Sequence, residues 1–183
     1  GQDGLLTCAI RTGGIYGPGD RHRLPGVLGA YRAGRAMRLG DGKAKFGHVY
    51  VRNAAYAHIL AAEALTEDSP VAGRAYFVDD GAPSNFFDFF DLYLTALGYE
   101  PVRKSLPFWL ALTIAVLSEA AARYRPSAQP PLLTRYVVLS TCRDLYFSNE
   151  KARRDFDYRL LVPLDQAREE TLAWLRAAGW ARH

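Results

Sequence analysis

Residues 5–20 read Leu-Leu-Thr-Cys-Ala-Ile-Arg-Thr-Gly-Gly-Ile-Tyr-Gly-Pro-Gly-Asp, and the point at which apolar residues give way to glycine decides the fold class. The run Leu5 to Ile10, bounded by Gly4 and by Gly13-Gly14, predicts a strand buried on both faces, as in a parallel sheet. Its far end then opens into a loop holding four glycines and Pro18. In open parallel sheets ligands sit outside the carboxyl ends of the strands, and glycines there let the backbone approach them. A glycine turn without a ligand fits the same spacing.

Working outward, Arg21 to Pro25 leads into a helix of about ten residues, with Pro25 in its first turn and Gly34 at its end. Met37 to Leu39 predicts a short strand, Gly40-Asp41-Gly42 a tight turn, and Phe46 to Val51 the return strand of a small hairpin. Asn53 has the chemistry of a helix cap for Ala54 to Leu65. His58, inside that helix with Ala62 four residues on, has no metal-type partner and reads as structural. Arg74 to Asp79 predicts a strand with Tyr76 and Val78 on one face and Ala75 and Phe77 on the other. Asp79 and Asp80 then point to opposite faces and serve a turn or a cap.

Ser84 is placed to cap a helix over 85–97 that Gly98 stops, with Asp88 and Asp91 on its wet side and Phe86, Phe87, Phe89, Phe90 and Tyr93 around the rest. So many rings suit a packed core, or the wall of a flat apolar ligand site. Leu106 to Leu117 is apolar on all sides for 12 residues. A bilayer span needs about 20, so this segment is a helix that is buried or partly uncovered, facing lipid or an apolar ligand. Pro126 and Pro130-Pro131 predict a linker, Leu145 to Phe147 a short strand, and Asn149 to Phe156 a short helix. A last amphipathic helix over Pro163 to Ala178 puts Leu164, Ala167, Thr171, Leu172 and Leu175 on one side.

Composition narrows the function. The net charge of +4 is spread along the chain, and the densest basic spot, Lys151 to Arg154, is followed by Asp155, so no face or motif for nucleic acid is marked. Cys8 and Cys142 make neither a metal spacing nor an obvious disulfide pair, which gives no metal site and points to a reducing, cytoplasmic setting.

Arg11 to Asp20 closely resembles the Arg-Pro-x-x-Ile-Tyr-Gly-Pro-Gly-Asp segment of extended short-chain dehydrogenases, in particular the 3β-hydroxysteroid dehydrogenase/isomerase family. Val49-Tyr-Val-Arg-Asn-Ala-Ala-Tyr-Ala-His58 and Tyr146-Phe-Ser-Asn-Glu-Lys-Ala152 with Trp174-Leu-Arg176 resemble two further blocks, in family order. Thr12 stands where the family usually has proline. The resemblance implies an α/β chain forming the C-terminal part of a Rossmann-like enzyme. Sheet elements would lie near 5–10, 46–51 and 74–79, and a mostly helical substrate lobe over 20–45 and 81–183. It implies NAD or NADP as cofactor, with Thr12, Gly13, Gly14 and Ile15 beside the nicotinamide and Tyr16, Arg23 and Tyr50 on the substrate side. It further implies hydride exchange at a 3β-hydroxy group of a sterol-like or other apolar substrate, and leaves open a peripheral membrane contact, known for animal members, and a homodimer.

The family's Gly-x-x-Gly-x-x-Gly turn and catalytic Tyr-x-x-x-Lys are not in this sequence. The residues four before Lys43, Lys45, Lys104 and Lys151 are Leu39, Asp41, Glu100 and Phe147, and Asp20 stands where Gly14 and Gly17 would need a third glycine. The expectation is therefore a chain without its N-terminal dinucleotide-binding part, on the order of 150 residues, and with no catalytic residue of its own. Two rivals stand beside this reading. One is an epimerase or ketone reductase acting on a nucleotide sugar or a flavonoid-type ketone. The other is a non-catalytic binding protein of the same ancestry.

Overall fold

Short strands and longer helices alternate through the computed structural model, which describes residues 4–124, 131 and 133–182. In chain order these are β1 (Ala9–Thr12), β2 (Gly14–Tyr16), α1 (Arg23–Arg32), β3 (Arg38–Leu39), β4 (Lys45–Phe46), β5 (His48–Tyr50), α2 (Val51–Glu63), β6 (Ala75–Val78), β7 (Ser84–Asn85), α3 (Phe86–Ala96), β8 (Ser105–Leu106), α4 (Phe108–Tyr124), α5 (Arg135–Cys142), α6 (Glu150–Phe156) and α7 (Leu164–Ala177). They form two compact units. One comprises the chain up to Pro25, Gly47–Pro83 and Tyr146 onward, and the other Gly26–Phe46 and Ser84–Leu145.

The first unit is built on parallel pairs. β1 pairs with β6 in the register Ala9↔Ala75 to Thr12↔Val78, and β2 pairs with β5, Gly14↔His48 to Tyr16↔Tyr50. Parallel neighbours need a long crossover: α1 lies in the stretch between β2 and β5, and α1 and α2 in that between β1 and β6. Tyr76 and Val78 are buried with Ala57 and Ala61 of α2, Val71, and Ala152, Phe156 and Tyr158 around α6. The alternation expected for β6 is the one observed, and Tyr76 and Val78 form its buried face. The segment from Tyr146 onward was expected in the helical lobe. It packs with the strands instead, since Phe156 meets the Tyr76 ring edge-on and Ala152 and Tyr158 join the same core.

The opening run is only half buried. Leu5 is 68 % exposed, and exposure alternates through Ala9 and Arg11 while Cys8 and Ile10 touch the core. The strand begins at Ala9 rather than Leu5, with β6 as its one neighbour among the described residues, and the alternation of exposed Ala9 and Arg11 with half-buried Ile10 and Thr12 leaves one face uncovered. Helix α7 buries Ala167, Thr171, Leu172 and Leu175, but Leu164 in its first turn is exposed.

The second unit is organised by pairs of two-residue strands. The hairpin expected over 37–51 does not form. β3 pairs in parallel with β8, β4 pairs antiparallel with β7, and β5 belongs to the other unit. Leu39 is thereby buried among Ala111, Ala115 and Val138, an apolar return that a local hairpin would not give it. The expected strand over 145–147 is reduced to one bridge between Phe46 and Leu145.

Asn85, not Ser84, caps α3, its side chain accepting from the amides of Phe87 and Asp88. Phe86, Phe87, Phe89, Phe90 and Tyr93 meet one another edge-on, ring centroids 5.1–5.4 Å apart, with Phe90 and Tyr93 buried. This is the packed-core reading of those rings. Asp88 and Asp91 both pair with Arg38. The expected linker at Pro126 and Pro130-Pro131 lies outside the described residues except for Pro131.

Helix α4 buries only Ala111 and Ala115 fully. Trp109 and Leu117 are 68 % and 63 % exposed, with Ile114, Val116 and Tyr124 also outward. No helix among the described residues is long and apolar enough to cross a membrane. An apolar face of this kind drives association. Replacing Trp109 and Ile114 with Gln is expected to reduce self-association and binding to neutral detergent micelles, followed by light scattering. The melting temperature should change little, because neither side chain is buried. Undiminished micelle binding by the double variant would contradict this.

Candidate functional site at the ends of the parallel strands

The glycine-rich stretch is not a loop from Gly13 onward, as its composition predicts, but a place where the chain changes partners. Gly13 donates its amide to the Val78 carbonyl, 2.9 Å, and completes the ladder with β6. Gly14 donates to the Gly47 carbonyl, 2.8 Å, and begins the ladder with β5. The switch requires Gly13, since a Cβ there would stand 2.6 Å from the Gly47 carbonyl oxygen. In a parallel ladder successive residues direct their backbone groups to opposite sides. Thr12 therefore turns away from β6, and Ile15, in the middle of β2, turns away from β5. Thr12, Gly13 and Gly14 are half buried and Ile15 is exposed.

Beneath this stretch lies a carboxylate that neither motif nor spacing marked as central. Asp80 accepts from the Tyr16 hydroxyl (3.0 Å), the Tyr50 amide (2.8 Å) and the Asn53 side-chain amide (2.9 Å). Burial pushes its pKa up, the neighbouring Asp79 charge adds to this, and the three donors oppose it. Asp79 faces a different set. It accepts from the Gly81 amide and from the Asn149 side chain, and burial raises its pKa too. The adjacent acids thus share no site, as alternation predicts, but Asp80 organises far more than a turn.

Asn53 does not cap α2. The helix begins at Val51 with Tyr50 at its cap position, and Asn53 sits fully buried inside it. Its amide group donates to Asp80 and to the Val162 carbonyl, while its oxygen accepts from the Val162 amide, 2.8 Å. An isolated helix would favour the cap, but here those three bonds satisfy groups that have no water nearby. Asn among apolar helix neighbours was the signal available in the sequence.

The two tyrosines expected on the substrate side are both buried, their rings 5.6 Å apart. Tyr16 uses its hydroxyl on Asp80, and Tyr50 donates its own to Glu170 of α7, which also holds Arg52. Burial and then the Glu170 contact push the Tyr50 phenol up to about 12. Asp20 caps α1, accepting from the amides of His22, Arg23 and Leu24. The helix end that could have met an anion is thereby filled by the chain's own acid. Arg23 folds back so that its guanidinium lies on Gly14, where a Cβ would collide with it. Beside them His48 is buried and pushed down to about 2, by burial first and then by the Arg23 charge, so it stays neutral.

His58 is exposed and bonds back through Nδ1 to the Ala54 carbonyl. Among the described residues no group of three or more His, Cys, Asp or Glu could hold a metal ion, and Cys8 and Cys142 are free thiols.

Comparison with known proteins adds four findings. A model of the "3-beta hydroxysteroid dehydrogenase/isomerase family" matches residues 1–108. The chain is 36 % identical over 171 residues to the mouse "sterol-4-alpha-carboxylate 3-dehydrogenase, decarboxylating", covering 92 % of this chain and 47 % of that protein. It is 37 % identical to the "2-alkyl-3-oxoalkanoate reductase" of Stenotrophomonas maltophilia, covering 97 % and 52 %. Among solved structures, the Streptomyces venezuelae dTDP-glucose 4,6-dehydratase DesIV with NAD bound superimposes with a TM-score of 0.63 at 18 % identity, covering 99 % of this chain and 47 % of that one. That likeness is one of fold. The chain spans about half the length of the curated relatives it matches.

The buried neutral His48 makes stability depend on pH with a definite sign. Its folded pKa lies far below the unfolded value near 6.5, so the unfolded chain binds the proton first, and stability falls as pH drops below about 6.5. One such group lowers stability by about 1.2 kcal/mol between pH 6 and 5. Urea melts across that range should give a shallower dependence for His48→Gln than for wild type. Parallel curves would show that His48 does not titrate on unfolding.

Proposed function

The chain belongs to the 3-beta hydroxysteroid dehydrogenase/isomerase family, and on that premise we propose that it forms the nicotinamide-side and substrate-side portion of an NAD- or NADP-dependent oxidoreductase. The reaction is hydride exchange at a secondary alcohol or ketone of an apolar, sterol-like substrate. The observation that carries this reading is the partner switch at Gly13-Gly14. It sets the backbone of Thr12 at the carboxyl end of β1 and that of Ile15 in the middle of β2, turned away from β6 and β5 respectively. Ligands of parallel sheets bind at such ends.

The residues present fit one end of the cofactor. Thr12, Gly13, Gly14 and Ile15 offer backbone groups of the size and polarity a nicotinamide carboxamide needs, on a base fixed by Asp80. The pyrophosphate finds no counterpart, because the sequence has no Gly-x-x-Gly-x-x-Gly turn and Asp20 closes the first turn of α1. When bound, the nicotinamide supplies the hydride acceptor or donor. This chain's part is to orient the ring and hold the substrate. Proton exchange with the alcohol falls to no residue here, for there is no Tyr-x-x-x-Lys. The outward apolar face of α4 is part of the same reading and suits peripheral contact with the membrane in which such a substrate dissolves.

Two experiments test the reading. Calorimetric titration of this chain with NAD and with NADP should find nothing tighter than roughly millimolar. A micromolar constant would mean that the chain grips the cofactor by itself. In the full polypeptide carrying the dinucleotide-binding half, a 3β-hydroxysterol should support nicotinamide reduction. Ile15→Pro, which removes one N–H outside the β2–β5 ladder, should raise the KM for the nicotinamide cofactor about fivefold, the cost of one hydrogen bond. An unchanged KM in a folded variant would take Ile15 out of the site.

A further inference from the structure

We propose that Asp79 is a cofactor-binding residue that takes the amide nitrogen of the nicotinamide carboxamide; this rests on the dehydrogenase reading above. The carboxamide is then held from two sides, its oxygen by backbone N–H groups of Thr12 to Ile15 and its NH2 by the Asp79 carboxylate.

The first support is position. Gly13 donates to the Val78 carbonyl, and one residue later Gly14 donates to Gly47, while the Asp80 amide donates to the His48 carbonyl, 2.8 Å. The start of β5 therefore enters between β2 and the end of β6, and Gly47 stands at the fork where the strands part. Asp79 follows Val78 and comes level with Gly13, about 4.8 Å away across the ladder. A Cβ on Gly47 would stand 3.4 Å from Asp79 Oδ2 and 3.7 Å from Cα and Cβ of Tyr146. Glycine at this point thus leaves out the side chain that would cover Oδ2, at the carboxyl end of a parallel strand.

The second support is an unused acceptor. Asp79 is 5 % exposed, and its Oδ1 accepts from the Gly81 amide (2.9 Å) and the Asn149 side chain (3.0 Å). Its Oδ2 accepts no hydrogen bond among the described residues. A carboxylate withdrawn from water is unfavourable until its oxygens have donors. The other two acids at these strand ends have both oxygens occupied, Asp80 by Tyr16, Tyr50 and Asn53, and Asp20 by the first turn of α1. The Tyr158 hydroxyl holds the Asp79 carbonyl as well, 3.0 Å, so Oδ2 is fixed in place before a ligand arrives.

The third support is the chemistry of the group to be held. A carboxamide presents one acceptor oxygen and two N–H donors in a plane. Backbone amides satisfy the oxygen and leave the NH2 without a partner. An ionised carboxylate oxygen satisfies the NH2, and with a stronger bond than a neutral acceptor gives.

The test measures binding in the full polypeptide carrying the dinucleotide-binding half. Calorimetric titrations use NAD, or NADP if that binds tighter, and the matching 3-acetylpyridine analogue, in which a methyl group replaces the carboxamide NH2. The wild type should bind the natural dinucleotide at least tenfold tighter than the analogue, as expected for a hydrogen bond to a charged group. In Asp79→Asn the oxygen keeps the two donors now on Oδ1, so an NH2 takes the place of Oδ2 and cannot accept. The preference should then fall to about one. The ratio cancels any general loss of affinity, and the wild-type preference stands as a test even if Asp79→Asn does not fold. Equal dissociation constants for the wild type, or an unaltered ratio in a folded Asp79→Asn, overturn the assignment of Asp79. In that case tight binding of the natural dinucleotide, with nicotinamide reduction by a 3β-hydroxysterol, still supports the dehydrogenase reading. Binding of neither dinucleotide would remove that reading, and this proposal with it.

Discussion

The Asp80 carboxylate leaves water at the end of β6, and a buried charge of that kind persists only where donors surround it. Three arrive from separate parts of the chain: the Tyr16 hydroxyl at the end of β2, the Tyr50 amide at the end of β5, and the Asn53 amide in α2. Each bond to an ionised group contributes about 1.5–3 kcal/mol, and losing one donor leaves the charge less satisfied than an apolar replacement of the whole set would. The constraint also spreads. Asn53 ties the same point to Val162, just before α7, and Tyr50 ties it to Glu170 within α7. The strand ends that face the proposed nicotinamide site are thus fixed from below by groups far away in sequence.

The second unit keeps its order by other means. Its strands are two residues long and contribute few ladder bonds, so the aromatic cluster of α3 and the small buried residues of α4 and α5 hold it. Arg38 braces this arrangement by meeting both Asp88 and Asp91 while its Nε donates to the Val102 carbonyl. What it leaves uncovered is apolar, along α4. This helix buries alanines and exposes Trp109 and Leu117, so its outer face is apolar.

Parts of this were legible in the sequence because the physics was local. The alternation of Ala75 to Val78 separated the two faces of β6, Gly34 and Gly98 marked helix ends, and the rings of α3 suited a packed cluster. The parts that misled were decided by distant partners. Nothing near Met37 to Leu39 says that its neighbour is Ser105–Leu106, and the turn glycines Gly40 and Gly42 suggest a hairpin that the burial of Leu39 overrides. Asn53 has a cap's chemistry, yet Val162 and Asp80 claim its side chain. Gly13 and Gly14 read as a loop, although the lack of a Cβ serves a change of strand partner against Gly47. For the candidate site, the stretch over 12–15 was marked by composition and resemblance together. Its support, Asp80 and His48, became visible only when the fold brought those residues beneath it.

The central claim is that the backbone of Thr12 to Ile15, set by the partner switch and held by Asp80, meets the nicotinamide. A crystal structure of the full polypeptide with NAD bound tests it most directly. The account predicts at least one backbone N–H or C=O of Thr12 to Ile15 within hydrogen-bond distance of the nicotinamide carboxamide, with the Tyr16–Asp80–Asn53 contacts intact. A nicotinamide bound elsewhere, with this stretch turned away from it, would contradict the account.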